Sequence, residues 1–170
     1  NYIGLLNLLE VASQFSIRAF VHAGSSSEYG LNAAAPKEDA PLSPNSHYAV
    51  TKAGAAQMIK YYGTVKEMPV VNLRYYCIYG AYEEPYRLIP RLIEVGMRKT
   101  YPPLVQPDIS RDFVYIDDAV LATLLSANSL EQVAGQSLNI ASGSKTTIRD
   151  IAATVQEIFG IESQPEWGDF

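Results

Sequence analysis

Two rhythms of apolar spacing run along the chain. Residues Asn1 to Ala12, NYIGLLNLLEVA, place Tyr2, Ile3, Leu5, Leu6, Leu8, Leu9 and Val11 at helical intervals. Ile17 to Ala23 is instead a short apolar run, broken by Arg18 and His22 near its ends, as expected of a strand covered on both faces. A loop from Leu31 to Asn45 carries Pro36, Pro41 and Pro44. The helical rhythm then returns from Ser46 to Lys66 on Ala49, Ala53, Ala56, Ile59 and Lys60, small residues that imply close packing. Pro69 to Tyr75 is a second buried run, so strand, helix and strand are expected as a parallel unit with a right-handed crossover, half of a doubly wound sheet.

Beyond Gly80 the pattern changes. Leu88, Ile89, Leu92, Ile93 and Val95 predict a helix from Arg87 to Lys99, and Val114 to Ile116 predict a short strand. Asp117 and Asp118 are expected to cap a helix running through Ala127, and Ser137 to Ile140 to form another strand. The last helix is expected to begin at Thr147, with Asp150 completing a capping box and an apolar face of Ile148, Ile151, Val155, Ile158 and Phe159. The chain opens inside a helical pattern with no cap before it and closes on Trp167 to Phe170 just after a turn. Both ends therefore suggest a piece of a longer protein.

Composition narrows the function classes. The 170 residues are 48% hydrophobic, enough for an ordinary core, and 13 basic against 18 acidic residues leave a net charge of −5 without a run of either sign. Nothing in that balance suggests nucleic acid as a partner. A single cysteine, Cys77, excludes an internal disulfide framework and a multi-cysteine metal site, and no apolar stretch approaches a bilayer-spanning length. A small-molecule partner and the cytoplasm are the expectations.

Chemistry concentrates in two places. The stretch SSSEYG, residues 25–30, follows the first buried strand, and open α/β sheets bind ligands beyond the carboxyl ends of their strands. A serine-rich turn is the plainer reading. Tyr48 and Lys52 stand four apart near a helix start and so share one face. A free phenol, with a pKa of about 10, is a poor base at neutral pH, and an ammonium about 4–6 Å away lowers that value. The pair is thus a candidate proton shuttle, against the alternative of an exposed surface pair.

The order of these parts resembles the extended short-chain dehydrogenase/reductase superfamily, and more narrowly the NAD-dependent nucleotide-sugar epimerases and dehydratases. Ser25 before Tyr29-Gly30, Tyr48 with Lys52, Leu73 to Gly80, and Arg111 to Asp118 (RDFVYIDD) carry the resemblance. It implies an α/β fold, the C-terminal half of a Rossmann-like doubly wound parallel sheet plus a small α/β substrate-binding domain, with residues 1–80 cofactor-binding and 81–170 mainly substrate-binding.

It also implies roles. Ser25 would hydrogen-bond the sugar hydroxyl being oxidised, with Ser26 beside the substrate. Tyr48 would take its proton, and Lys52 would hold the nicotinamide ribose and keep Tyr48 acidic. Tyr75 and Tyr76 fall where the family lines the cofactor pocket, although aromatics ending a strand also read as core. Arg111 matches an arginine that grips the sugar-nucleotide diphosphate, against the alternative of a surface ion pair with Asp112 or Asp117. Arg87 and Leu88 match the segment that covers the nucleotide. Cys77 stands where many relatives have a substrate-binding asparagine, and His47 replaces a frequent proline. His22 reads as a packed histidine.

The chain contains no G-x-G-x-x-G or G-x-x-G-x-x-G turn, so the main cofactor cradle is expected upstream. The expected activity of the whole protein is an NAD(P)-dependent epimerisation at C4, with NAD favoured over NADP, a nucleotide-sugar substrate, and a homodimer paired through the helices around residues 1–14 and 46–66. A 4,6-dehydratase or reductase is the alternative, as is a non-catalytic member or an inactive fragment. The family's dehydratases carry an acidic pair where this chain has Ser26 and Ser27. Glu28 lies one residue late, which in an extended segment turns it to the opposite face. A Glu28 pointing away from the sugar would be epimerase-like, and one pointing in would be dehydratase-like.

Overall fold

The computed structural model describes residues 2–32 and 34–168. Asn1, the expected first position of the opening helix, and Asp169 and Phe170 of the closing segment lie outside the described residues, as does Ala33. In chain order the elements are α1 (Tyr2–Ala12), β1 (Phe20–Ser25), a single 3₁₀ turn (Ser26–Tyr29), α2 (His47–Thr64), β2 (Val70–Tyr75), β3 (Cys77–Tyr79), α3 (Leu88–Gly96), β4 (Ser110–Arg111), β5 (Phe113–Tyr115), α4 (Ile116–Asn128), α5 (Leu130–Val133), β6 (Ser137–Ile140), β7 (Thr146–Thr147) and α6 (Ile148–Phe159). They form two compact units, Asn1–Tyr76 with Asp117–Ala141, and Cys77–Ile116 with Ser142–Phe170. The units are not consecutive blocks meeting near residue 80, because β6 completes the sheet of the first unit.

That sheet is parallel throughout, in the order β1-β2-β6. β2 is its centre, and all of its residues from Val70 to Arg74 are buried, as expected of a strand covered on both faces. Side chains alternate between faces, and the alternation has chemical content. Val70 joins Leu5, Leu9, Ala55, Met58, Ile59, Tyr62 and Met68 in the core under α1 and α2. Val71 and Leu73 join Leu130 in a second cluster, with Val21, Tyr75, Leu138 and Ile140 packed against it. Further along the first face β2 turns polar, with Asn72 and Arg74. The register places His22, Asn72 and Ser137 in one row across the sheet and Gly24, Arg74 and Asn139 in the next.

β1 starts three residues later and ends two residues later than its apolar run suggests, because its pairing with β2 runs from Phe20 opposite Val70 to Ser25 opposite Tyr75. Ser25 is therefore the last residue of the strand. The segment after it is not extended, as the sequence reading took it to be, but a 3₁₀ turn with Ser25 as N-cap. α2 is capped by Ser46, whose Oγ accepts the Ala49 N–H at 3.1 Å. α4 begins at Ile116, so Asp117 and Asp118 lie inside its first turn and do not cap it. There they still face the unpaired amides of the helix start.

In the second unit, β3 pairs with β5 in parallel and β4 with β7 antiparallel. Leu92 of α3 packs with Ile148, Ile151, Ala152 and Val155 of α6, and with Leu104 and Ile161. α6 starts as expected: Thr147 caps it, Thr147 and Asp150 satisfy each other's backbone amides, and Gly160 in the left-handed region ends it. Among the described residues no helix is long and apolar enough to cross a membrane.

Candidate active site

Ser25, Tyr48 and Lys52 all belong to the first unit, and one contact joins the two elements that carry them. The Lys52 ammonium, on the second turn of α2, donates to the Ala23 carbonyl at 2.6 Å, two residues before Ser25 at the end of β1. The same nitrogen lies 5.7 Å from the centre of the Tyr48 ring, one helical turn earlier. Tyr48 is half exposed at 49%. The Ser25 Oγ accepts the Ser27 N–H at 3.2 Å, which leaves the serine proton available to an incoming group. A hydroxyl, a phenol and an ammonium thus rise from adjacent elements at the carboxyl end of a parallel sheet. Such a set is suited to moving one proton at a bound alcohol or ketone.

Beneath this trio the sheet is polar. His22, with Nε2 buried and without a partner among the described residues, is pushed down to about 4 by burial and by the nearby Lys52 charge. It is neutral at physiological pH, in keeping with a packed histidine. Tyr75 packs into the second apolar cluster and shares a hydrogen bond with Thr123 of α4, the core role weighed for it above. The backbone N–H of Tyr76 donates to the Ile140 carbonyl. Ser26 is half buried in the 3₁₀ turn.

The expected sugar-nucleotide residues Cys77, Arg87, Leu88 and Arg111 all fall in the second unit. Burial pushes the half-buried Cys77 thiol up, while the charges of Arg87 and Arg111 act in the opposite direction, so both guanidiniums lie within electrostatic reach of it. Arg87 precedes α3 and pairs with Glu83 at 3.1 Å, and Leu88 is the first residue of that helix. Arg111 is exposed and donates to the Ser110 carbonyl at 2.8 Å. Among the described residues it forms no ion pair with Asp112 or Asp117. Asp112 is engaged elsewhere: Oδ1 accepts the Ser142 N–H and hydroxyl, and Oδ2 the Gly143 N–H, each at 2.8 Å.

Residues 1–141 match the model of the NAD dependent epimerase/dehydratase family. The chain belongs to that family. A UDP-glucuronate 4-epimerase of Arabidopsis thaliana is 36% identical over 136 residues, 76% of this chain and 32% of that protein. An uncharacterized UDP-glucose epimerase, YtcB of Bacillus subtilis, is 29% identical over 99% of this chain and 54% of its own length. Among solved structures, the UDP-glucuronic acid 4-epimerase of Bacillus cereus, in complex with UDP-glucuronic acid and NAD, superposes with a TM-score of 0.86 at 27% identity, covering 99% of this chain and 54% of that one. The UDP-N-acetylglucosamine 4-epimerase of Methanobrevibacter ruminantium reaches 0.89 at 25% identity, again with 99% of this chain and 56% of that one. The chain spans about half the length, or less, of the curated relatives it matches.

Within this epimerase/dehydratase chain, sequence reasoning missed the support under the site. Glu28 is fully buried and paired with Arg74 at 2.6 Å, and Asn72, Tyr29, Asn139 and Glu38 extend the network. Two signals for it were present. Ser25 and Glu28 stand at capping-box spacing, and Asn72 and Arg74 interrupt an otherwise apolar strand on one face only.

Proposed function

We propose that this chain is the catalytic and substrate-binding part of an NAD(P)-dependent nucleotide-sugar 4-epimerase, with NAD the favoured cofactor and a UDP-sugar the favoured substrate. The Lys52 to Ala23 contact carries this reading, because it ties the helix of Tyr48 to the strand of Ser25 at the end of the sheet where substrate would lie. The nicotinamide, when bound, supplies the hydride acceptor and donor for C4. Tyr48 takes the proton of the C4 hydroxyl and later returns it, Ser25 holds that hydroxyl, and Lys52 holds the ribose. These residues fit such a partner: the phenol is solvent-accessible, the serine proton is unassigned, and the ammonium is anchored through a single carbonyl and keeps donors to spare.

Within the first unit we assign cofactor contacts to Tyr75, the last residue of β2, and to Tyr76 after it, and sugar contacts to Ser25 and Ser26; within the second unit we assign substrate contacts to Cys77, Arg87, Leu88 and Arg111. Epimerisation is favoured over dehydration because Glu28 is buried, with both oxygens already engaged, and so offers no acid or base to C5 and C6. Exposed Ile3, Leu8 and Val11 of α1 and Val50 and Tyr61 of α2 are the surface a homodimer would cover. We place the protein in the cytoplasm on the family's precedent.

The full-length protein is to be loaded with NAD and offered UDP-, dTDP-, CDP- and GDP-sugars, with products read by NMR. The expected result is a 4-epimer with no net change in cofactor, and a Tyr48→Phe variant whose kcat falls about 10²–10⁴-fold. A protein that binds NAD yet leaves every sugar unchanged would be a non-catalytic member. Net loss of water from the sugar would mean a dehydratase, and net consumption of reduced cofactor a reductase.

A further inference from the structure

Glu28 sits at the centre of a set of hydrogen bonds that begins at Ser25. Its Oε1 accepts the Ser25 backbone N–H at 3.0 Å and the Asn72 amide at 3.2 Å. Its Oε2 accepts Arg74 Nε at 2.6 Å and the Asn72 amide at 3.3 Å. Arg74, 4% exposed, lies over the Tyr29 ring at 4.6 Å and donates Nη1 to the Tyr29 hydroxyl at 2.7 Å and to the Glu38 carbonyl at 2.9 Å. The Tyr29 hydroxyl in turn donates to Asn139 Oδ1 at 2.7 Å. Apart from Ser25 at the end of β1, every member comes from the polar rows of the sheet, from the 3₁₀ turn, or from the loop that follows it. The backbone at Ser25 is therefore gripped by a carboxylate that is itself held by Asn72 and Arg74.

Stability alone is a weak reason for such a pair. A buried ion pair loses much of its Coulombic gain to desolvation, and apolar replacements of similar volume are often as stable. What the pair does supply is geometry, and catalytic hydroxyls need to be held within about 0.5 Å of their working position.

We propose that Glu28 is a positioning residue for Ser25: the Glu28–Arg74 pair clamps the Ser25 amide, and so sets the direction of the Ser25 hydroxyl toward the reacting sugar oxygen. The proposal rests on the role assigned to Ser25 above. The Ser25 Oγ sits on a backbone with φ −152° and ψ 143°, and the Ser27 N–H already occupies one of its acceptor positions. With the amide clamped and that position taken, the hydroxyl is left few orientations. Arg74 acts one step further back, by holding the Glu28 carboxylate against the amide.

The test is a double-mutant cycle in the full-length, NAD-loaded protein with Ser25→Ala, Glu28→Gln and the double variant. Glu28→Gln is expected to lower kcat at least tenfold, leave KM for the sugar and NAD content within twofold, and speed hydrogen exchange at the Ser25 amide at least tenfold. In the Ser25→Ala background the same change is expected to cost less than twofold. Should Glu28→Gln not fold, Arg74→Lys takes its place in the cycle, because it keeps the charge but loses the fork that also holds Tyr29 and Glu38, and the same pattern is expected. Equal losses in both backgrounds, or a folded Glu28→Gln with wild-type kcat, overturn the positioning role while leaving Ser25 catalytic. Full activity of Ser25→Ala overturns the role of Ser25 itself, and the positioning role with it.

Discussion

Replacing Gly24 by alanine would put a methyl group into the polar row beneath Ser25. Nothing about the Gly24 backbone demands glycine, so only room is at stake. An added Cβ would meet Asn72 Oδ1 at 2.3 Å and Glu28 Oε1 at 2.6 Å, against 3.4 Å for the start of ordinary contact. Both oxygens would have to retreat by about 1 Å in a closely packed region. The Ser25 N–H to Glu28 bond, now 3.0 Å, would then stretch beyond hydrogen-bonding range. Overpacking costs roughly 1–3 kcal/mol, and a lost hydrogen bond to a buried charged group costs about 1.5–3 kcal/mol. The expected destabilisation is therefore roughly 3–5 kcal/mol, a fall in Tm on the order of 10 °C. Thermal unfolding measures it, with Gly4→Ala in α1 as the control, since an added Cβ there meets nothing within 4 Å. Alanine at Gly4 is expected to be neutral or to stabilise by up to ~1 kcal/mol. A Gly24→Ala protein within 1 kcal/mol of wild type, with the Glu28 bonds intact in its crystal structure, would refute the packing argument.

Two further outcomes follow from the same unit. Ser46→Ala removes the acceptor for the Ala49 amide at the head of α2 and is expected to cost about 1 kcal/mol in denaturant unfolding, with greater fraying of the turn that carries Tyr48. His22, held neutral down to about 4, takes up no proton in the folded state between its ordinary value of 6.5 and that point, whereas the unfolded chain does. Stability is thus expected to decline as pH falls through that window, and His22→Leu to show a shallower decline. Identical slopes for wild type and variant would show that His22 titrates normally in the folded protein.

The elements that depend on local pattern were legible. α6 could be read to its capping box because Thr147 directly precedes a 12-residue helix that holds Asp150 and the apolar positions at three and four. β6 likewise matches the strand expected from Ser137 to Ile140. The start of β1 falls three residues after that of its apolar run because such a run says that a strand is buried, while its ends are set by what β2 offers for pairing. The Tyr48 and Lys52 spacing was visible because a helix makes i and i+4 neighbours without help from the rest of the chain. Asn72, Arg74 and Asn139 were not recognised as one group with Glu28. With Glu28 they come from three separate segments, and only the register of β1, β2 and β6 lays them side by side.

By itself, then, the sequence determined the α/β character, the helix carrying Tyr48 and Lys52, and the family resemblance, all of which arise from contacts between residues close along the chain. Tertiary structure alone decided the fate of Glu28. Residue order made it a candidate acid one position out of place, and the fold turned it into a buried partner of Arg74 under Ser25. The physical reason is that a carboxylate's role depends on which groups surround it in space. Its partners Asn72 and Arg74 lie 44 and 46 residues away and reach it only once the sheet has paired.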